Sequence, residues 1–327
     1  MALTEQTFEI LPTPKWQGKP VPAEQTTNVL YGIFGHLGSP LTYVILLAIF
    51  GVTAWNALGL FILTSIPFVT FTLWAEKQHP SIELPKPTAR EFFDGMIMVF
   101  IKGVGVGGGL VTLGWWAHSH VPLWEMLGVR QGLSHAWWLI AAATLGTDLA
   151  YYWIHRTMSH SRGQAPVLRY YRKKHSAHHA VTALDFLRGN QSSLVDTAVS
   201  QFQPSLIVIS WLLGLDLGGT LVAYALVLML QATDHTSATF SIGWLNWIFM
   251  DNHAHKLHHC KRGHLINHAA AFAFWDRLWG TYYEDWSISS NFMHHHGVSL
   301  PIRRVEADRK RPGQLLDTSA LGVDVPI

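Results

Sequence analysis

Charged side chains are scarce in this chain. Only 13% of its 327 residues are Asp, Glu, Lys or Arg, whereas soluble globular domains contain about 25%. The 23 basic and 21 acidic residues leave a formal net charge of +2, so the charge balance does not indicate a polyanionic partner such as nucleic acid. Because 49% of the residues are hydrophobic, a disordered chain is also excluded. The composition favours an integral membrane protein, and a large soluble all-α core is the alternative.

Cysteine is almost absent, since Cys260 is the single one. One thiol excludes an internal disulfide framework, a Cys-rich zinc site and a Cys-ligated iron–sulfur cluster. The abundant residues are 15 Trp and 20 His. Imidazole is the commonest side-chain metal ligand, so the sequence predicts a membrane protein that binds metal.

Long uncharged runs predict the membrane segments. Residues 1–40 are polar and lack the apolar stretch of a signal peptide. Residues 41–74 carry no charge and fit two short helices that turn near residues 56–59, since about 20 apolar residues cross a bilayer. Further apolar runs cover residues 103–124, 131–147, 197–215 and 217–233. The sequence thus predicts four to six membrane-embedded helices, arranged mainly as hairpins.

The basic residues indicate the orientation. Seven Lys and Arg residues stand against one acid between Arg156 and Arg188, and the part after Asp251 is also rich in Lys and Arg. By the positive-inside rule both segments should be cytoplasmic.

Histidines form three clusters in these two segments. Their members are His155 and His160, then His175, His178 and His179, then His255, His258 and His259. Each HxxHH motif places three imidazoles on one side of a helix, close enough to share one or two metal ions. His155 and His160 are about 140° apart on a regular helix, so they either span a helix end or bind different ions. Eight imidazoles exceed the needs of one tetrahedral zinc ion, which favours two ions.

Asp148 lies nearly two helical turns before His155, at the end of an apolar run. A carboxylate in that position is costly and indicates a function. We expect it to hold a ligand imidazole by the ring's other nitrogen, which fixes the tautomer. The alternative is a hydrated helix end with no such role.

Together these motifs resemble the fatty acid hydroxylase/sterol desaturase superfamily of membrane di-iron proteins. The resemblance runs from Asp148 to Tyr282 and includes the sequence WDRLWGTY at residues 275–282, which is similar to the WDRLFGT of that family. It implies that two iron ions at the cytosolic membrane face activate O2 to oxidise a C–H bond of a lipid-like substrate. It also adds His235 as a ninth ligand.

Several other residues near the motifs are not predicted to be metal ligands. After the third cluster the family shows Asn, an aromatic residue and Gly, whereas this chain has Asn267, His268 and Ala269. We interpret His268 as a ring in the aromatic position, with an extra ligand as the alternative. Asp276 and Arg277 are expected to be structural, and residues 294–296 are expected in a loop at the surface or at the rim of the site.

The resemblance implies partners as well. The chain has no flavin motif, cysteine cluster or haem domain, so electrons should come from a ferredoxin or cytochrome b5-type protein with its reductase. The basic stretch Arg169–Lys174 is either its docking site or a topology signal. Hydroxylation is favoured over desaturation. A metal transport or storage protein and a zinc-dependent membrane hydrolase are the competing functions. Transport would need ligands distributed through the depth of the bilayer, whereas these clusters lie on one side of it. A zinc hydrolase would need a glutamate base of the HExxH type, which the clusters do not contain.

The predicted architecture is all-α. A polar segment (1–40) precedes membrane helices (41–147), a catalytic region (148–285) that includes a membrane hairpin (197–233), and a C-terminal tail (286–327). The catalytic region forms a cytosolic helical cap that carries the His-rich dimetal site.

Overall fold

The computed structural model describes residues 8–84, 86–100, 105, 107–120, 134–160, 165–181, 183–189 and 203–304. The helices are α1 (Val29–Phe50), α2 (Ala54–Gln78), α3 (Ala89–Phe100), α4 (Gly108–His120), α5 (Trp137–Ile154), α6 (Pro166–His179), α7 (Gln203–Leu213), α8 (Leu217–Leu230), α9 (Asn252–His259), α10 (Phe274–Leu278) and α11 (Ser290–His295). The strands are β1 (Phe8–Ile10), β2 (Lys15–Trp16), β3 (Lys19–Pro20) and β4 (Ile302–Arg304). The all-α prediction is confirmed in that the described structure is mostly helical, and four short strands are present in addition.

A long antiparallel hairpin, α1 and α2, begins the helical part. The chain reverses at Gly51, whose φ of +86° suits glycine. The Thr53 side chain then caps α2 by accepting from the Asn56 N–H, while the Asn56 amide donates to the carbonyls of Phe50 and Gly51. The sequence predicted this turn a few residues too late. Asn56 does hydrogen-bond to the loop, but it lies in the first turn of α2 and not in the loop itself.

The helix α1 also begins earlier than predicted, at Val29 rather than near residue 41. The uncharged part of the sequence in fact extends back to Gln25. Gly32, Gly35 and Pro40 lie within α1 and made this stretch look unlike a helix. The Asn28 side chain caps it by accepting from the Leu30 N–H.

Among the described residues, two helices are long and apolar enough to cross a membrane, α1 and α2. The apolar helices α7 and α8 are shorter, with 11 and 14 residues. The predicted runs at 103–124, 131–147 and 197–215 extend partly outside the described residues. The expectation of four to six membrane-embedded helices stays a prediction.

The apolar helices share one core. Buried side chains of α1, α2, α5, α7 and α8 pack together there, among them Tyr43, Ala57, Ile140, Leu206 and Val222. The Tyr43 hydroxyl donates to the Ala57 carbonyl across the hairpin. This core holds the end of α5, and therefore the first histidine, in place.

A second core lies in the predicted cap, and both ends of the chain contribute to it. Val21 joins Leu257, Ile266, Met293 and Ile302, and β1 pairs with β4 in antiparallel register. Residues 286–304 are therefore packed against the His-rich part instead of forming a separate tail, and the polar N-terminal segment is part of the same unit. Residues 305–327 lie outside the described residues.

Candidate metal centre

The end of α5 carries the first two histidines on an unusual turn. Residues His155–Ser159 form a π-helical turn in which the His160 N–H donates to the His155 carbonyl. The wider turn brings residues five apart onto the same side, and the Nε2 atoms of His155 and His160 are 3.0 Å apart. Of the two alternatives left by the sequence, the pair therefore faces one common site.

All nine histidines predicted from the sequence meet in two adjacent groups. Cluster I consists of His155, His160, His175, His179 and His258. Cluster II consists of His178, His235, His255 and His259. Within each cluster, one nitrogen from every ring lies within 4.8 Å of the others.

Each HxxHH motif is divided between the clusters. On α6, His175 and His179 face cluster I, while His178 faces cluster II. On α9, His255 and His259 face cluster II, while His258 faces cluster I. Positions i and i+4 are roughly 40° apart on a helix, whereas i+3 lies about 60° to the other side. The i, i+4 pair and the i+3 histidine therefore point to different places.

The nitrogen–nitrogen distances in the clusters fit metal coordination. Nε2 atoms approach to 2.9 Å between His175 and His179, and to 3.1 Å between His235 and His255. Imidazole nitrogens bind metals at about 2.0–2.1 Å, so neighbouring ligands on one ion lie roughly 3 Å apart. The residues present thus fit a pair of resident ions, one in each cluster.

Two ligand candidates in cluster I have their tautomers fixed by backbone carbonyls. The His155 Nδ1 donates to the His268 carbonyl at 2.7 Å, and the His258 Nδ1 donates to the Ile266 carbonyl at 2.7 Å. In the neutral rings, Nε2 then keeps a lone pair directed into the cluster. This is the arrangement expected of a ligand histidine.

Burial favours the neutral form of six cluster histidines. It lowers the pKa of several rings well below the ordinary 6.5, and the neighbouring imidazoles add to the effect. The affected residues are His155, His160, His179, His255, His258 and His259. Neutral rings can bind a metal ion without first losing a proton.

Asp148 has different partners from those expected. Its carboxylate accepts the N–H groups of Ala270, Ala271 and Phe272 at 2.8–3.2 Å, and no imidazole of the described residues donates to it. The expectation that it holds a ligand ring directly was wrong, because α5 packs beside the 268–272 loop and those amides need a buried acceptor. Asp148 therefore acts on the site only through the loop whose carbonyl orients His155.

Asp276 completes the support of that loop. It accepts from the N–H groups of His268 and Ala269 at 2.8 Å each and from the Thr281 hydroxyl at 2.6 Å. With Asp148, it satisfies five consecutive amides of residues 268–272. Its structural role agrees with the sequence interpretation. Burial raises the pKa of Asp276 to about 6, although these hydrogen bonds favour the charged form.

The sequence reasoning missed Asp234, which faces cluster II. One of its carboxylate oxygens lies 3.7 Å from the His255 Nδ1, and both side chains are buried. Desolvation raises the pKa of Asp234 well above its ordinary value. A carboxylate beside the non-ligating nitrogen is a common partner of ligand histidines. The adjacent pair Asp234-His235 was the available signal.

Other histidines surround the clusters. The His268 ring lies 5.7–5.9 Å from the rings of His155, His160 and His258, outside either nitrogen group. His294 contacts the carbonyls of Val181 and His259, just beyond the two HxxHH motifs. It therefore bridges the segments that carry those motifs rather than lying free at the rim.

A buried polar network joins the N-terminal segment to α9. Glu24 contacts His253 at 3.1 Å and accepts from the hydroxyls of Thr239 and Ser290. Burial alone would raise the pKa of Glu24, but the hydrogen bond from His253 and the charge of Lys256 hold it well below the ordinary value. His253 thus stabilises the cap and takes no place in the clusters.

Comparison with known proteins agrees with this site. Residues 140–281 match the family model described as Fatty acid hydroxylase. Alkylglycerol monooxygenase of Xenopus tropicalis is 26% identical over 171 residues, which are 50% of this chain and 35% of that protein. Alkylglycerol monooxygenase of Homo sapiens is 28% identical over 192 residues, 58% of this chain and 39% of that protein. No solved structure matches the chain significantly.

The matched region contains all nine cluster histidines and both supporting aspartates. The chain is similar to the fatty acid hydroxylase family over residues 140–281, and this match with the two relatives supports the resemblance to the superfamily seen in the sequence. It spans about a third to two-fifths of the length of these curated relatives.

Proposed function

We propose that this protein is a membrane-bound di-iron monooxygenase that hydroxylates a C–H bond of a lipid-like substrate. The observation that carries the proposal is the convergence of nine imidazoles into two adjacent, buried clusters. The family match and the monooxygenase names of the relatives support the same reaction class. Alkylglycerols, named in those relatives, are the first substrates to test.

Cluster I would hold one ion and cluster II the other, since each cluster offers an all-nitrogen set of donors. Bound iron would supply the redox chemistry that activates O2. The reaction balances when one oxygen atom enters the substrate C–H bond, the other becomes water, and two electrons and two protons come from outside. The chain itself orients His155 through the His268 carbonyl and His258 through the Ile266 carbonyl, and it excludes water by burying the site.

The electrons require a partner, for which we propose a ferredoxin or cytochrome b5-type protein with its reductase. Arg169 and Lys173 are exposed on α6, the helix that also carries His175, His178 and His179. A negatively charged carrier docked on this helix would be separated from both clusters by little more than the helix itself. The same basic residues favour a cytoplasmic location for the site.

Metal analysis coupled to an O2-dependent turnover assay tests the proposal. We expect about two iron ions per chain and product formation only with O2 and a reductant. His258→Ala should empty cluster I and His255→Ala cluster II, so each variant should lose about half the iron and nearly all activity. His295→Ala is the matched control, because His295 is exposed and outside the clusters. Stoichiometric zinc in active protein with no O2 requirement would contradict the proposal.

A further inference from the structure

A short segment between α8 and α9 exposes large apolar side chains. Gly243–Trp247 forms a 3-10 turn, and Trp244, Trp247 and Ile248 are 73%, 65% and 42% exposed. Leu278 on α10 is 65% exposed and follows Arg277, whose guanidinium lies 4.5 Å from the Trp247 ring centre. We name these four apolar residues the aromatic shelf. Exposed apolar groups of this size usually mark a binding surface.

The shelf is the outer side of a segment that is already packed on its inner side. Leu245 and Phe249 pack into a cluster that contains Leu37 of α1 and Phe272. The Arg277 guanidinium donates to the Asn246 carbonyl and so holds the turn in place. The exposed residues therefore cannot turn inward without displacing an existing core.

The aromatic shelf lies beside the first turns of α1, and this position indicates its depth relative to a bilayer. A Cβ on Gly32 would lie 2.0 Å from the Ser241 carbonyl oxygen, so α1 touches the segment within its first turns. Gly243 lies beside Val29, the first residue of α1. With 22 residues, α1 is about 33 Å long and could cross the hydrocarbon core once. Its first turns would then lie at the level of the lipid headgroups.

Aromatic residues also mark this level on the hairpin. Tyr31 and Trp74 pack edge to face, 6.0 Å apart, at the open end of α1 and α2, and both are partly exposed. Leu30 and Phe34 continue an exposed apolar surface along α1. Trp and Tyr are enriched at this depth of a bilayer because one side of the ring is apolar and the other polar.

We propose that the aromatic shelf docks on the bilayer surface, with its four apolar side chains inserted at the headgroup–acyl boundary of the leaflet that α1 enters at Val29. The proposal rests on the proposed membrane location of the hairpin. Arg277, beside Trp247, places a cation at the level of lipid phosphates. A bilayer suits the shelf better than a second copy of the chain because the shelf is adjacent to the lipid-length helix α1. Since α9 begins shortly after Ile248, docking would set the height of cluster II above the acyl chains.

Depth-dependent quenching of a fluorescent label tests this docking. The full chain is reconstituted in phosphatidylcholine vesicles with one introduced cysteine at a time: Trp244→Cys on the shelf, Leu63→Cys on the exposed side of α2 and Lys19→Cys at the exposed start of β3. The parent chain controls for labelling of Cys260, which is buried. We expect lipid-borne nitroxide to quench the labels at 244 and 63 several-fold more than the label at 19, which aqueous iodide should quench.

Three other quenching results would each contradict either the shelf proposal or the membrane location of the hairpin. If only the label at 63 responds to lipid nitroxide, the hairpin is in the membrane and the shelf proposal is wrong. If neither 244 nor 63 responds, the membrane location itself is wrong, whatever the iron content of the same samples. If the label at 244 is shielded from both quenchers and neighbouring chains cross-link there, the shelf is an interface between copies, and the lipid proposal fails.

Discussion

His235 packs directly against the backbone of Gly189, which has no side chain. A Cβ at Gly189 would lie 2.3 Å from the His235 Cβ and 2.9 Å from the Asp185 carbonyl oxygen. Gly263 allows a similar approach, since a Cβ there would lie 2.0 Å from the His258 carbonyl oxygen. One histidine of cluster II and one of cluster I thus depend on a neighbouring glycine.

We expect Gly189→Ala to displace His235 and to weaken metal binding in cluster II. Overpacking of this kind costs about 1–3 kcal/mol, and the displaced ring would leave three ligands of four. Iron per chain should fall from about two towards one, as measured by elemental analysis, with a lower Tm. Gly59→Ala is the control, because Gly59 lies within α2 and, apart from its chain neighbours and the helix backbone, no atom of the described residues lies within 4 Å of its ideal Cβ position. Unchanged iron in Gly189→Ala would contradict this account of His235.

At the scale of elements, Glu76 connects the hairpin to the loops around cluster II. One of its carboxylate oxygens accepts from the Phe186 N–H at 2.8 Å and from the Ser237 N–H at 2.7 Å. Phe186 follows the second histidine motif, and Ser237 lies two residues after His235. The C-terminal end of α2 therefore positions segments from two distant parts of the chain.

Two substitutions of Glu76 distinguish the effect of its hydrogen bonds on stability from the effect of its charge. Glu76→Ala leaves two buried amides without an acceptor, each at a cost of about 1–3 kcal/mol, so we expect a lower Tm and loss of iron from cluster II. Glu76→Gln keeps an accepting oxygen and should retain most of both. Iron content and Tm measured side by side test the assignment. A glutamine variant as defective as the alanine variant would show that the charge matters instead.

At the scale of the whole molecule, the buried imidazoles make stability depend on pH. Their pKa values in the folded protein lie well below 6.5, while in the unfolded chain they are near 6.5. As the pH falls below about 6.5, the unfolded chain binds protons that the folded protein does not, so the free energy of unfolding decreases. Well above pH 6.5 these rings are neutral in both states, so this loss of stability does not occur.

We therefore expect the Tm to be nearly constant above about pH 7 and to fall between pH 6.5 and 5, together with the iron content. Thermal melts of the iron-loaded and the chelator-treated protein across this range separate the two effects, because metal binding also requires neutral rings. The chelated protein should still lose stability on acidification. A Tm that rises as the pH falls would contradict the burial of these histidines as neutral groups.

The sequence by itself predicted the nine histidines that meet in the two clusters, and it indicated the family. The HxxHH spacing places three imidazoles on one side of a helix whatever surrounds it, and the low charge and apolar runs predicted helices packed through an apolar core. It did not determine the extent of α1, because Gly32, Gly35 and Pro40 reduced its local helix propensity. Contacts within the core outweighed that propensity.

Only the tertiary structure decided how the histidines are shared. The π-helical turn at His155 brings His160 into cluster I. The histidine rings of α6 and α9 meet so that each cluster has a pair from one helix and a single ring from the other. The partners of Asp148 and the contact of Asp234 with His255 were also decided at this level. These arrangements depend on groups far apart in the chain, which local spacing does not describe.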